Sequence, residues 1–132
     1  MVMLQRDEAD RFAKAWVAAW NSHDLELILS HFSEDVTFTS PIAARLVPGS
    51  DGVIHGKAAL REYWREGLRL LPELHFELEG IYVGVGNLVI NYRNQTGRSV
   101  CEVLFLEGDL VVQGHGTYLD DAQGVIDSSR TD

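Results

Sequence analysis

Cysteine is nearly absent from this sequence, and so are long apolar runs. Cys101 is the only cysteine, so an internal disulfide and a metal site built from several cysteines are both excluded. A membrane-spanning helix needs about 18 consecutive apolar residues, and no such run occurs. The first residues, MVMLQRDEADR, lack the apolar segment of a signal peptide. We therefore expect a cytoplasmic protein with no membrane partner.

Basic residues are scarce as well. The chain has 11 lysines and arginines against 20 aspartates and glutamates, which gives a formal net charge of −9. Without a clustered basic stripe, such a chain is repelled by phosphate backbones, so nucleic acid is not an expected partner. No two histidines have the spacing of metal ligands on a helix, and no glycine-rich phosphate loop is present. We predict no metal and no cofactor.

The chain does contain enough apolar residues for one folded domain, since 45% of its 132 residues are hydrophobic. Its apolar residues follow a helical period in the first half and a period of two in the second. Helices followed by strands indicate an α+β fold with a mostly antiparallel sheet. We place a single domain at 1–119 and a polar C-terminal tail at 120–132. Helices are predicted at 7–21, 25–32 and 57–70, a long loop at 41–56, and strands at 35–40, 75–84, 87–95, 98–107 and 110–119.

Two short turns set the predicted strand register. Residues 108–109 and residues 96–97 are each interpreted as a two-residue hairpin loop. Counting back from these loops places Asn91, Glu102 and His115 in one row on one face of the sheet. A shift of one residue would exchange the two faces. The opposite face is predicted to point inward and carries Ile90, Tyr92, Cys101, Val103, Phe105, Val112, Gly114, Gly116 and Tyr118.

Several motifs occur in a fixed order along residues 7–119. They are a tryptophan-rich first helix ending in AWNSHDL, the strand entry FSEDVTF, and the third helix HGKAALREYW. Together they resemble the nuclear transport factor 2-like superfamily, in its branch of SnoaL-like proteins and ketosteroid isomerases. The resemblance implies a cone-shaped α+β barrel, in which a curved sheet packs on three N-terminal helices around a pocket. It also implies a homodimer through the outer sheet face. Enzymes and non-enzymes share this fold, so it does not fix the function.

The ketosteroid isomerase pattern can be compared position by position. The resemblance places the carboxylate base of that reaction at Ser40, directly before the proline that ends the first strand. It places the oxyanion-binding tyrosine at Trp16 and the protonated aspartic acid at Cys101. A serine is not a base near neutral pH, and an indole offers a single N–H donor. All three positions depart from the pattern, so we expect the ketosteroid isomerase catalytic set to be missing.

Glu102, His115 and Asn91 are the remaining polar group with catalytic chemistry. A carboxylate that orients an imidazole, with an amide beside it, is a candidate acid/base unit. The alternative interpretation is a cross-strand polar pair that stabilises the sheet or an interface. His55 is predicted to lie on the loop over the pocket. The residues predicted to line the pocket are Trp16, Trp20, Phe38, Ser40, Tyr63, Tyr92, Cys101, Val103, Gly114, Gly116 and Tyr118.

Functions of different classes stay open at this point. One is a cofactor-independent isomerase, cyclase or hydrolase that acts on a small hydrophobic molecule. Another is a non-catalytic binding module for an apolar ligand, and a third is a dimeric structural protein. An ionisable side chain facing the cavity separates the enzyme from the binder. A homodimer is expected because an apolar patch on the outer face would otherwise be exposed. That predicted patch consists of Val89, Leu104, Leu106 and Val111.

Overall fold

The computed structural model describes residues 5–120, and within that range the chain forms four helices and six strands. The predicted tail lies outside the described residues from 121 onward. No helix in the described range is long and apolar enough to cross a membrane. The helices are α1 (Arg6–Ser22), α2 (Leu25–Leu29), α3 (Pro41–Leu46) and α4 (Lys57–Leu70). The strands are β1 (Phe32–Thr39), β2 (Val53–His55), β3 (Glu77–Val83), β4 (Asn87–Arg93), β5 (Ser99–Glu107) and β6 (Leu110–Tyr118).

The first helix forms where its periodicity predicts it, because one face is apolar. Glu8 closes its first turn by accepting a hydrogen bond from the backbone N–H of Gln5 over 3.0 Å. It ends at His23, whose left-handed φ of 60° stops the helix. Packing of the apolar face supplies most of the stability of such a helix. The residues of that face recur every three or four positions and include Ala9, Ala13, Trp16 and Trp20.

The prediction of a loop over 41–56 is wrong. Ser40 accepts a hydrogen bond from the backbone N–H of Ile42 over 3.1 Å, and Pro41 occupies the first turn of α3. A serine cap followed by proline is a helix start signal, because it satisfies one free N–H and removes another. Later in the segment, β2 pairs with β1 in antiparallel fashion, with Val53 opposite Thr39. The segment is therefore an ordered part of the fold.

The six strands form one mixed sheet in the order β2-β1-β6-β5-β4-β3. Strands β1 and β6 run parallel, and the other neighbouring pairs are antiparallel. The sheet is curved but does not close, since β2 and β3 are its edges. The helices pack on this sheet around one hydrophobic core. The predicted α+β class is thus confirmed, with an open sheet.

The register of β5 differs from the prediction on both sides. Strands β4 and β5 are joined by a loop closed by Asn94, whose N–H donates to the carbonyl of Arg98 over 2.9 Å. As a result, Glu102 lies opposite Ile90. The hairpin between β5 and β6 does pair Glu107 with Leu110, but a bulge follows. Beyond the bulge, Glu102 lies opposite Gly116 and Val103 lies opposite His115.

This one-residue shift exchanges the faces of β5. Glu102 points inward with Val100, Leu104 and Leu106, which are all buried. Val103 and Phe105, both half-exposed, point outward with Cys101. The predicted outer patch is therefore wrong in its members, because Leu104, Leu106 and Val111 are buried and only Val89 is half-exposed. On β5, the residues that point inward and the residues that point outward are both mostly apolar. The hydrophobic pattern therefore does not indicate the register.

Candidate functional site

A cavity of about 80 Å³ opens between the inner face of the sheet and the helices α3 and α4. This volume accommodates several water molecules, since one water needs about 10–15 Å³. Six of the residues that were predicted to line the pocket do line it: Trp20, Phe38, Ser40, Tyr63, Tyr92 and Tyr118. The other lining residues include Ile42, Leu46, Trp64, Leu71, Leu74, Phe76, Asn94, Gln95 and Glu102.

Glu102 is the single carboxyl group among the described residues that line this cavity. Its side chain is 6% exposed. The hydroxyl of Tyr92 donates a hydrogen bond to Oε1 over 3.0 Å, whereas Oε2 is buried and has no partner within residues 5–120. Burial raises the pKa of Glu102 to about 7, against the opposing effect of the Tyr92 hydrogen bond. Both protonation states are therefore populated near neutral pH.

Tyr92 is held in place by other aromatic side chains. Its ring stacks on Phe76 with a centroid distance of 4.1 Å, and Trp16 lies 5.6 Å away on another side. Asn21 fixes Phe76 in turn by two hydrogen bonds to its backbone, of 2.7 and 2.9 Å. Burial, and then the Glu102 carboxylate, raise the pKa of Tyr92 well above its ordinary value of 10.0. Tyr92 therefore stays a hydrogen-bond donor at neutral pH.

Ser40 connects the end of β1 to the cavity. Its hydroxyl caps α3 by accepting from the N–H of Ile42, and it lies near the hydroxyl of Tyr63. Burial raises the pKa of Tyr63 to about 12, and the neighbouring Ser40 hydroxyl opposes this rise. Tyr63 therefore stays protonated at neutral pH, and its hydroxyl can donate a hydrogen bond.

Gly116 keeps the space between Ser40 and Glu102 open. A Cβ atom added at this glycine would lie 3.4 Å from Oε1 of Glu102 and 3.7 Å from Oγ of Ser40. The carboxyl and the hydroxyl thus face the same small volume. Gly114, two residues earlier, also points inward, but its added Cβ would meet the ring of Phe38 at 3.0 Å. Gly114 therefore lies against the packed core rather than the cavity.

The predicted unit of Glu102, His115 and Asn91 is not assembled. His115 lies on the outer face, where its Nδ1 is 2.7 Å from the hydroxyl of Thr39. Asn91 also points outward and donates to the carbonyl of Val100 over 3.0 Å. The bulge in β6 and the loop that joins β4 to β5 are the reason, because together they turn Glu102 away from both residues.

Four further predicted positions lie outside the cavity lining. Cys101 and Val103 are on the outer face, for the same reason of register. Trp16 is buried beneath Tyr92 in the core. His55 is exposed on β2 and lies 3.4 Å from the hydroxyl of Thr37, because the segment that carries it pairs with β1.

Sequence reasoning missed the lining residues of α3 and of the turn after β4. Ile42 and Leu46 line the cavity because α3 exists, and the signal for it was the Ser-Pro start. Asn94 and Gln95 line it because the turn after β4 is wider than two residues. No group of three His, Cys, Asp or Glu side chains within residues 5–120 is arranged to hold a metal ion.

The corrected register also changes the comparison with ketosteroid isomerases. The inward position on β5 holds the carboxylic acid of Glu102, not the thiol of Cys101. Ser40 and Trp16 still replace the base and the tyrosine of that pattern. The cavity therefore combines one carboxyl group that titrates near neutral pH with hydroxyl donors from Tyr92, Tyr63 and Ser40. Such a set can move a proton and stabilise charge on an oxygen.

Comparisons with solved structures give one relative above 30% identity and others that share the fold alone. A SnoaL-like protein of unknown function from Burkholderia thailandensis is 36% identical to this chain, covers 89% of it and 98% of its own length, and superposes with a TM-score of 0.84. A cystatin-like protein from Methylobium petroleophilum is 14% identical, with 93% and 84% of the two chains covered and a TM-score of 0.68. TerC, co-crystallised with polyporic acid, is 15% identical, with 84% and 91% covered and a TM-score of 0.69.

No match was found among curated proteins. The model of the SnoaL-like domain matches residues 13–119, which is most of the sequence. The chain therefore belongs to the SnoaL-like domain family of the nuclear transport factor 2-like superfamily.

Proposed function

We propose that this protein is a cofactor-independent enzyme that binds a small hydrophobic carbonyl compound in the cavity and transfers a proton on it through Glu102. The observation that carries the proposal is Oε2 of Glu102, a buried carboxyl oxygen with no partner among residues 5–120. An acid/base group works best when its pKa lies near the working pH, and that of Glu102 is raised to about 7.

The neighbouring hydroxyls have separate roles in this reaction. The Glu102 carboxylate takes a proton from the carbon next to the substrate carbonyl, and the electron pair of that C–H bond moves to the carbonyl oxygen. The resulting enolate oxygen accepts a hydrogen bond from the hydroxyl of Tyr63, which stays protonated at neutral pH. Glu102, now protonated, returns a proton to a carbon of the enolate. Return to a different carbon completes an isomerisation, and return of a solvent-derived proton to the original carbon completes an exchange of the α-proton.

Exchange of α-protons for deuterium tests the proposal without knowledge of the natural substrate. We expect the protein to accelerate loss of the α-proton NMR signals of 4-phenylbutan-2-one or 2-tetralone in D₂O. Glu102→Gln should reduce the rate to the buffer background, because the amide is not a base. His115→Ala is the matched control and should exchange at the wild-type rate, since His115 lies on the outer face.

The same experiment separates an enzyme from a binding module. The fluorescence of Trp20 and Trp64, which line the cavity, reports ligand binding. Quenching by both ketones without any exchange above the Glu102→Gln rate would contradict the catalytic proposal and leave a ligand-binding protein.

We also propose a homodimer through the outer sheet face. Val89, Val103 and Phe105 are half-exposed on that face, where a second copy would cover them. Val103→Glu places a charge there and should convert a dimer to a monomer in sedimentation velocity. A wild-type protein that sediments as a monomer at micromolar concentration contradicts this proposal.

A further inference from the structure

Helix α4 has a glycine in the middle of the face that it turns toward the cavity. The residues that line the cavity from this helix and its C-cap are separated by one, three or four positions, which is the spacing of a single helix face. They are Tyr63, Trp64, Gly67, Leu70 and Leu71. Gly67 has a lining residue one turn before it and another one turn after it. A side chain at this position would therefore project into the cavity.

The backbone does not require a glycine at this position. Gly67 is helical, unlike the turn glycines Gly97 and Gly108, whose φ angles are 87° and 62°. It does not end the helix either, since α4 continues to Leu70 and the N–H of Leu71 donates to the carbonyl of Gly67 over 3.0 Å. Within a helix, glycine is less favourable than alanine because it loses more conformational freedom on folding.

Close packing does not require a glycine either. Apart from its chain neighbours and the backbone of its own helix, a Cβ atom added at Gly67 would meet no heavy atom of residues 5–120 within 4 Å. At Gly114, by contrast, the added atom would lie 3.0 Å from the ring of Phe38. Gly67 thus leaves a gap on the cavity face of α4. The glycine lowers helix stability, and nothing in the packing of the fold compensates for it.

The gap lies where the cavity lining changes from buried to exposed. Tyr63 and Trp64 are buried, whereas Leu70 is 38% exposed and Leu71 is half-exposed. Gly67 lies between these two pairs, and so between the interior of the cavity and its mouth. It is also one turn of α4, or roughly 6 Å along the helix axis, from Tyr63. A ligand whose carbonyl oxygen is bound by Tyr63 and that extends toward the mouth passes directly over the gap.

We propose that Gly67 is a specificity-determining residue, whose missing side chain leaves room for a bulky apolar group of the ligand to pack on the bare backbone of α4. The group is apolar because Trp64, Leu70 and Leu71 flank the gap. A side chain at position 67 would exclude ligands of that width. That the ligand is a ketone rests on the proposed function, whereas the limit that Gly67 sets on ligand width does not.

Two cyclic ketones of different width test this role. These are 2-tetralone and cyclohexanone, which lacks the fused aromatic ring. Titration of the full chain, followed by the indole N–H NMR signals of Trp20 and Trp64 in the cavity lining, gives their Kd values. Gly67→Ala and Gly67→Leu introduce good helix formers and fill the gap in two steps. We expect the Kd of 2-tetralone to rise about fivefold in Gly67→Ala and about twentyfold or more in Gly67→Leu, and that of cyclohexanone to change by less than about twofold.

The melting temperature distinguishes this role from a structural one. Gly67→Ala should raise the Tm of the free protein by roughly 2–4 °C, since alanine favours the helix, while it weakens binding of 2-tetralone. Ala58→Leu is the matched control, because it introduces leucine at an exposed position of α4 outside the cavity lining. It should leave both Kd values unchanged.

Three results would overturn the proposal. One is an unchanged Kd for 2-tetralone in the Gly67 variants, and another is a wild-type protein that does not bind 2-tetralone. The third is a lower Tm in Gly67→Ala, because the fold itself would then require the glycine. If Gly67→Leu does not fold, the Kd and Tm of Gly67→Ala decide.

This proposal and the proposed function fail in different ways. Loss of catalysed exchange, together with weaker binding of 2-tetralone by the Gly67 variants, removes the role of Glu102 and keeps that of Gly67. Intact exchange, together with equal binding of 2-tetralone by wild type and both variants, keeps the chemistry and removes the role of Gly67.

Discussion

The hydroxyl of Tyr92 lies 3.0 Å from one oxygen of Glu102, and the second oxygen of that carboxyl group has no partner within residues 5–120. One hydrogen bond is too few to offset the burial of a charged carboxylate, which explains why the pKa of Glu102 is raised to about 7. A carboxyl group in this situation destabilises the fold when it is charged. A buried carboxyl group whose pKa lies near neutral pH is what the proposed acid/base chemistry requires.

The first prediction concerns stability and pH. The folded-state pKa of Glu102 is raised from 4.5 to about 7, so its stabilising contribution is complete below pH 4.5 and is lost as pH rises to about 7. At about 1.4 kcal/mol per tenfold change in the ionisation constant, this loss is on the order of 3 kcal/mol. Urea unfolding of wild type and Glu102→Gln between pH 4.5 and 8 measures it. The difference between the two proteins should change over this range, and a constant difference contradicts the prediction.

The second prediction concerns Tyr92. The hydrogen bond from Tyr92 lowers the pKa of Glu102, so Tyr92→Phe should raise that pKa further above its ordinary value of 4.5. The exchange reaction should then be slower at pH 7 and reach its maximum at a higher pH. Tyr82→Phe is the control, because Tyr82 is 65% exposed. A pH profile of Tyr92→Phe equal to that of the control would show that Glu102 does not carry the reaction.

The third prediction compares two glycines on β6. Gly116→Ala places a methyl group 3.4 Å from Oε1 of Glu102 without a backbone clash, so the protein should fold normally while exchange slows several-fold. Gly114→Ala places its methyl group 3.0 Å from the ring of Phe38, and overpacking of this kind costs about 1–3 kcal/mol. Thermal unfolding and exchange rates of both variants check the contrast. Equal effects of the two substitutions on both measurements contradict it.

The fourth prediction concerns Ser40. Ser40→Ala removes the cap of α3, so we expect a loss of roughly 0.5–2 kcal/mol in the free energy of unfolding. Chemical denaturation measures this loss. Ser30→Ala, at an exposed serine, should change stability by less than about 0.5 kcal/mol. Equal stability of the two variants would mean that the Ser40 hydroxyl has no structural role.

The sequence predicted the helices α1 and α4 and five of the six strands, all but β2, because each of these elements has a strong apolar period. The direction of Glu102 was not predictable in the same way. It depends on a bulge after Val111 and on the width of a turn, and either feature moves the register by one residue. The wide turn after β4 did have a signal in the sequence, which is Asn94. Asparagine side chains commonly accept a hydrogen bond from the backbone N–H two residues later and so close a turn, as Asn94 does with Thr96.

A ¹³C NMR titration of the Glu102 carboxyl group, assigned by comparison with Glu102→Gln, is the most direct test of whether this residue can transfer a proton in the cavity. We predict a midpoint near pH 7 in the wild-type protein, and a higher midpoint in Tyr92→Phe. Saturation with 4-phenylbutan-2-one should also change the midpoint, because an apolar ligand replaces water in the cavity and makes the surroundings of the carboxyl group less polar. A midpoint near 4.5 that ligand does not alter would contradict the proposed function, since Glu102 would then be an ordinary ionised carboxylate with no part in binding or proton transfer.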